Sequence, residues 1–319
     1  MSVPVGPVER PSAVRTWLMA IRPATLPAAV AGVLVGLGAA LAVGTPLRLD
    51  TALGCLVVAV LLQILANLAN DLSDHRRGAD TPDRAGPTRV AAAGLVSERR
   101  LEVAIGLTTG LAVLVGLWLA VVGGPVILLL GALAIGAALA YTGGPLPYGY
   151  RGLGEIFVFV FFGFVAVVGT AYLQAFRLEP LFFVAAVPPG ALVTAILVVN
   201  NLRDIPTDAA AGKRTLAVIL GRERTRTLYE VLLGAAYGVP TLLFWQVPLA
   251  DGNLRALALA LPFATLPLVV PLVRALRSFG QPAELNAVLG GTARLALAFS
   301  ALFAFGLAVA GPVLVGAGA

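Results

Sequence analysis

Nine apolar runs divide this chain, at roughly 24–44, 48–70, 101–122, 125–142, 155–175, 180–201, 227–247, 254–273 and 291–316. Each is close to the ~20 residues that a helix needs to cross a bilayer. In lipid every backbone N–H and C=O must be paired within the protein, so runs of this length predict helices. The expected fold is therefore all-α: a polytopic membrane bundle of nine transmembrane helices in a single domain, 1–319. Composition supports this and excludes water-soluble classes. The chain is 59% hydrophobic and 12% charged, whereas soluble domains run near 25% charged, and mean hydropathy is +0.94. Residues 1–20 read as a cytoplasmic tail. Arg10 to Leu18 is similar to the basic start of a signal peptide, but no small-residue cleavage site follows. Gly123-Gly124-Pro125 is all that separates the third and fourth runs, and it predicts a tight turn.

Charge sets the orientation. With the N-terminus in the cytoplasm, 19 of the 22 basic residues fall on the cytoplasmic side, leaving Arg48, Arg177 and Arg255 outside. The net charge of +6 is carried almost wholly by arginine. In such a setting it points to membrane lipid headgroups as partners, and not to nucleic acid. The long polar loops all gather on the cytoplasmic side of a plasma-membrane protein. The chain also echoes itself weakly: an apolar run, an Asn/Asp cluster and a basic loop recur about 133 residues apart, from Asn67 to Asn200, suggesting halves of about 21–150 and 151–319.

The two clusters are the chemical signal. In the first, Gln63, Asn67, Asp71 and Asp74 recur at helical spacing and share one face; in the second, Asn200, Asp204 and Asp208 do the same. Two carboxylates about 4 Å apart repel by about 4 kcal/mol at an effective dielectric near 20. An aspartate drawn toward the bilayer centre costs about 2.5–3.5 kcal/mol more. A hard divalent cation is the simplest compensation, and oxygen-only ligands favour Mg²⁺. Arg76, Arg77, Arg84 and Arg89 follow the first cluster. Arg203, Lys213 (the only lysine) and Arg214 accompany the second. Metal with Arg and Lys is a common way to hold a diphosphate. A third loop, Tyr141 to Glu155, adds aromatic rings for a cationic intermediate or an aromatic acceptor.

Asn-Leu-Ala-Asn-Asp (67–71), Gly-Ala-Asp (78–80), Arg-x-Gly-Pro-x-Arg (84–89), Tyr-Thr-Gly-Gly-Pro (141–145), Pro-Tyr-Gly-Tyr-Arg-Gly-Leu-Gly-Glu (147–155), Asn-Asn-Leu-Arg-Asp (200–204) and Gly-Lys-Arg-Thr-Leu-Ala-Val (212–218) stand in this order. Together they resemble the UbiA superfamily of intramembrane prenyltransferases, and within it the 1,4-dihydroxy-2-naphthoate polyprenyltransferases of menaquinone synthesis. The resemblance runs from Arg22 to Arg294. It implies that two Mg²⁺ ions bridge the aspartates to an isoprenyl diphosphate. Ionisation then gives an allylic cation, which the aromatic ring attacks with loss of CO₂, yielding a demethylmenaquinol. It further implies that Asn67, Asp71 and Asp74 serve one metal and Asp204 and Asp208 the other. Lys213 and Arg203 would contact diphosphate. The remaining substrate-binding candidates are Arg22, Asn70, Arg84, Arg89, Tyr141, Tyr148, Arg151, Asn200 and Asn201. The chain departs from the family pattern at Ala24, where a basic residue is often found, leaving Arg22 to serve; it also has His75 where an aspartate would be expected one turn after Asp71.

Other acceptors, such as 4-hydroxybenzoate, stay open at this point. So does an ion-coupled transporter, since acids in membrane helices also mark ion paths. Plainer readings apply elsewhere. Cys55 is a buried thiol, His75 a solvated residue, and Gln63 structural. Glu155 pairs with Arg151. Gly32, Gly36 and Gly136 let helices approach closely.

Overall fold

The computed structural model of the chain describes residues 11–80, 85–247 and 254–316, and among these every regular element is helical. A short α1, Ala13–Ile21, takes up the end of the expected tail and runs one residue past it. There follow α2 (Leu26–Ala42), α3 (Leu49–Arg76), α4 (Glu98–Gly123) and α5 (Pro125–Ala140). Next, α6 (Gly154–Val158) continues through a π-helical stretch, Phe159–Val165, into α7 (Ala166–Ala175). Beyond these are α8 (Pro180–Ala210) and α9 (Leu216–Gln246). A 3₁₀ stretch, Leu254–Thr265, leads into α10 (Leu266–Ser278), and α11 (Leu285–Gly316) closes the described chain. Among the described residues, eight segments are long and apolar enough to cross a membrane, and the shorter Pro125–Ala140 stands where the remaining expected crossing lies. Gly124, at φ +82°, forms the predicted turn before Pro125. Glycine accepts that backbone conformation without steric cost.

The helix ends differ from the sequence reading in an informative way. The sequence reading ends the second and sixth apolar runs at about 70 and 201, part-way through acidic clusters placed at helical spacing on the same two helices. Instead α3 continues to Arg76 and α8 to Ala210, so both clusters form the last helical turns. Their polar side chains find partners across the bundle, which lets the helix outlast its apolar stretch. Similarly, α9 starts at Leu216 and not near 227, with Gly221 (φ +74°) breaking it after one turn.

Helix α8 is central, with 78% of its apolar window buried, against 17% for α4. The main core joins α2, α7, α8, α9, α10 and α11 through residues such as Val35, Phe182, Leu192, Tyr229, Leu276 and Phe299. Two smaller clusters hold α3, α4 and α5. One gathers Leu68, Leu72, Val90 and Leu101, and the other Val33, Cys55, Leu119, Ile127 and Leu173. The outer side of α4 exposes Leu107, Leu111, Leu114 and Val121, as a lipid-facing helix does.

Small residues set the closest approaches. A Cβ added at Gly32 would lie 2.5 Å from the Phe162 carbonyl oxygen, and one at Gly36 would lie 2.6 Å from that of Val167. Gly136 corrects the sequence reading: nothing lies within 4 Å of its Cβ position, so it is not a packing contact. Gly32→Val is therefore expected to destabilise the bundle by about 1–3 kcal/mol through overpacking, with Gly136→Ala near neutral. Unfolding in mixed micelles measures both.

Candidate active site

A cavity of about 370 Å³ opens between the main core and the α3–α5 side. Along α3 its wall is one stripe: Cys55, Val58, Ala59, Leu62, Gln63, Ala66, Asn67, Asn70 and Asp74. At 1.5 Å per residue this stripe is about 28 Å long. Its far end is apolar, closed by Val33, Cys55, Leu119, Ile127 and Leu173. The other end carries Asp74, Asp204, Asp208, Arg89 and Lys213. The space thus suits an amphipathic molecule with a long apolar tail and an anionic head.

The two acidic helix ends meet here. Lys213 places its Nζ 3.0 Å from Asp74 Oδ1 and 4.0 Å from Asp208 Oδ1. The turn that delivers it follows α8 directly, with the Lys213 N–H donating to the Asp208 carbonyl at 2.8 Å. Asp74 also accepts from Arg89 Nη2 at 3.3 Å and from the Tyr150 hydroxyl at 2.9 Å. Arg89 Nε lies 3.4 Å from Asp80. Asp204 is held by both Nε and Nη2 of Arg203, at 2.8 and 2.7 Å. Arg203 itself donates to Asn200 and to Asn286 of α11. Among the described residues no three acidic, histidine or cysteine side chains form a closed metal cage. The oxygen donors instead sit opposite basic side chains, an arrangement open to a cation that shares its shell with an anionic ligand.

Not every sequence candidate reaches the cavity. Arg22, Asn67, Asn70, Arg89, Tyr141, Tyr148, Asn200, Asn201 and Lys213 line it with Asp74, Asp204 and Asp208. Asp71 is 1% exposed and gives its carboxylate to the backbone N–H groups of Val90 and Ala91, at 3.1 and 3.2 Å. Arg203 is buried behind Asp204, and Arg151 is exposed; neither lines the cavity. Arg84 lies outside the described residues. The Glu155 partner is not Arg151 as expected: Glu155 accepts from Asn201 Nδ2 at 2.9 Å. His75 sits 3.6 Å from Glu98.

The aromatic loop forms one flank. Tyr141 packs edge-on to Tyr148, at 5.3 Å between ring centres, and Tyr148 stacks on Phe157 at 4.0 Å. Tyr150, which the sequence reading did not select, is the most connected ring. Lys213 lies 4.8 Å from its centre and Arg77 5.5 Å. Burial, then the charge and hydrogen bond of Asp74, raise its phenol well above the ordinary value. Burial likewise raises Tyr141 and Tyr148. All three therefore remain neutral phenols. The only sequence signal for Tyr150 was its place in Pro-Tyr-Gly-Tyr-Arg. Asn286, which also binds the Ala85 carbonyl at 2.9 Å, had no signal at all.

Residues 29–285 match the UbiA prenyltransferase family. The chain is 47% identical over 245 residues to 1,4-dihydroxy-2-naphthoate octaprenyltransferase of Mycobacterium tuberculosis, covering 77% of this chain and 83% of the relative. It is 42% identical over 299 residues to the protein of the same name from Mycobacterium leprae, covering 93% and 97%. The fold superposes on a UbiA homolog from Archaeoglobus fulgidus, solved bound to DMAPP and Mg²⁺, with a TM-score of 0.58 and 15% identity over 90% of this chain and 99% of that one.

The Tyr150 geometry carries its own test. Tyr150→Phe removes a hydrogen bond to a buried charge and is expected to cost about 1.5–3 kcal/mol. The raised phenol value also sets a sign. The unfolded chain ionises at the ordinary tyrosine value while the folded one does not. Stability is therefore full below that value and is lost as pH climbs toward the shifted one. Unfolding of the wild type against Tyr150→Phe across alkaline pH should show a smaller loss once Tyr150 is removed, with Tyr141 and Tyr148 supplying the remainder.

Proposed function

Because this chain belongs to the UbiA prenyltransferase family, we propose that it transfers a polyprenyl group from an isoprenyl diphosphate to the ring of 1,4-dihydroxy-2-naphthoate. CO₂ and diphosphate leave, and a demethylmenaquinol forms. Relatives at 42–47% identity that carry this activity in their names support the acceptor reading. The single observation behind the chemistry is the meeting of Asp74 and Asp208 on one ammonium, at the polar end of a long apolar cavity.

The donor set fits Mg²⁺. It is made of oxygen atoms, and Lys213 already marks the space between Asp74 and Asp208 as a place for positive charge. Asp74, Asp204 and Asp208 would hold the metal, and two ions are the expected complement. Bound there, Mg²⁺ supplies the charge that grips a diphosphate and steadies it as it departs. Lys213 and Arg89 add donors to the diphosphate oxygens. The apolar wall takes the tail; stranding that tail in water costs about 0.8 kcal/mol per CH₂. Neutral Tyr141 and Tyr148 line the site, and aromatic quadrupoles there would stabilise an allylic cation. The same walls keep water from quenching that cation. The basic loops support an orientation with the N-terminus and this polar end toward the cytoplasm of a plasma membrane.

Asp74→Ala and Asp204→Ala are each expected to lower transfer by roughly 100-fold or more. A chelator should stop turnover, and added Mg²⁺ should restore it. Mass spectrometry of products from the purified protein, offered several aromatic acceptors, identifies the ring. Prenylation of 4-hydroxybenzoate in place of 1,4-dihydroxy-2-naphthoate would overturn the acceptor assignment.

A further inference from the structure

Asn67 and Asp71 belong to the first acidic cluster, yet the Asn67 amide nitrogen and the Asp71 carboxylate are already engaged by the N-terminal arm and by the loop after α3. Both Asn67 Nδ2 hydrogens are directed at the N-terminal arm, at 2.9 Å to the Ile21 carbonyl and 3.0 Å to Thr25 Oγ1. Between those two partners lies Arg22, at φ +52°. A non-glycine residue in this left-handed region is strained and persists only where its surroundings hold it. Asn67 grips the chain on both sides of it. The result is that Arg22 lines the cavity and brings Nη2 to 3.9 Å from Asp71.

Asp71 does the same for the loop after α3. Each carboxylate oxygen accepts one backbone N–H, from Val90 and Ala91. The preceding residue is Arg89, whose guanidinium reaches Asp74. Three residues along a helix turn the side chain by about 300°, so Asp71 sits about 60° round α3 from Asp74. That offset points Asp71 at the loop and Asp74 at the cavity.

We propose that Asn67 and Asp71 are positioning residues that tie two basic arms, one carrying Arg22 and one carrying Arg89, over the polar end of the cavity, leaving Asp74 as the metal-facing group of α3. The proposal rests on the metal-dependent diphosphate reading above. It divides a cluster that looked uniform in sequence into one ligand and two clamps.

The test uses the full chain in lipid nanodiscs, with geranyl diphosphate as donor and Mg²⁺ as metal. Asn67→Asp keeps the shape and offers a metal a better ligand, but removes the amide donors. Asp71→Asn keeps an acceptor for one N–H and sets an amide group against the other. Each is expected to raise the donor KM by about tenfold or more while leaving Mg²⁺ half-saturation within about twofold. Hydrogen exchange should quicken within 13–25 for Asn67→Asp and within 88–95 for Asp71→Asn. Asp74→Asn should do the reverse, shifting Mg²⁺ half-saturation by about tenfold without loosening either segment. Tighter Mg²⁺ binding in Asn67→Asp, or weaker Mg²⁺ binding in Asp71→Asn with exchange unchanged, would make these residues ligands and overturn the proposal. If Asp74→Asn leaves the Mg²⁺ dependence untouched, the metal reading falls instead, and exchange in the two segments still decides the clamps.

Discussion

Lys213 stands between Asp74 and Asp208, and the polar end of the bundle is organised around that shared charge. Asp74 and Asp208 are 2% and 9% exposed, in a setting where unpaired carboxylates would be costly. Bringing two of them together adds repulsion that only positive charge can offset. The bundle supplies it from several directions: Lys213 from the turn after α8, Arg89 from the loop after α3, and Arg203 from within α8. This also explains why α3 and α8 remain helical past their apolar stretches. Their last turns are held by side chains from the following loops, and each closes on a glycine cap, with the Ala79 N–H bonding the Asp74 carbonyl and the Lys213 N–H the Asp208 carbonyl.

The same arrangement gives the site its direction. One stripe of α3 runs from Cys55 to Asp74 along the cavity, changing from apolar to acidic over about 28 Å. An isoprenoid diphosphate has the same polarity along its length. Recognition of tail and head can therefore come from the axis of one helix, while the aromatic flank at Tyr141 and Tyr148 sits near the polar end, where a cation would form. The packing that allows this is uneven. The α2, α7–α11 side is one large core, whereas α3–α5 are held by smaller clusters, and the cavity is the space left between them.

Much of this was legible in the residues. The nine runs, the turn at Gly124, the two clusters on α3 and α8, and the family motifs all predicted elements that are present. The two parallel clusters pointed to a shared site, whereas the place of Lys213 between Asp74 and Asp208 came only from the structure. The sequence misjudged partners more than elements. Asn201, not Arg151, meets Glu155, and Asp71 meets loop amides. Tyr150 and Asn286 carry contacts that no local pattern announced.

By itself, the sequence determined that the chain crosses a membrane as helices and gathers acid and base at one end. Both follow from properties that are local in the chain, namely run length and residue spacing. Only the tertiary structure decided which polar side chains face the cavity and which bond neighbouring arms and loops. A helical stripe spans a wide arc, and side chains about 60° apart on it can meet entirely different neighbours. Which neighbour each one meets depends on loops folding back from residues distant in sequence, as Val90 does for Asp71 and Tyr150 for Asp74.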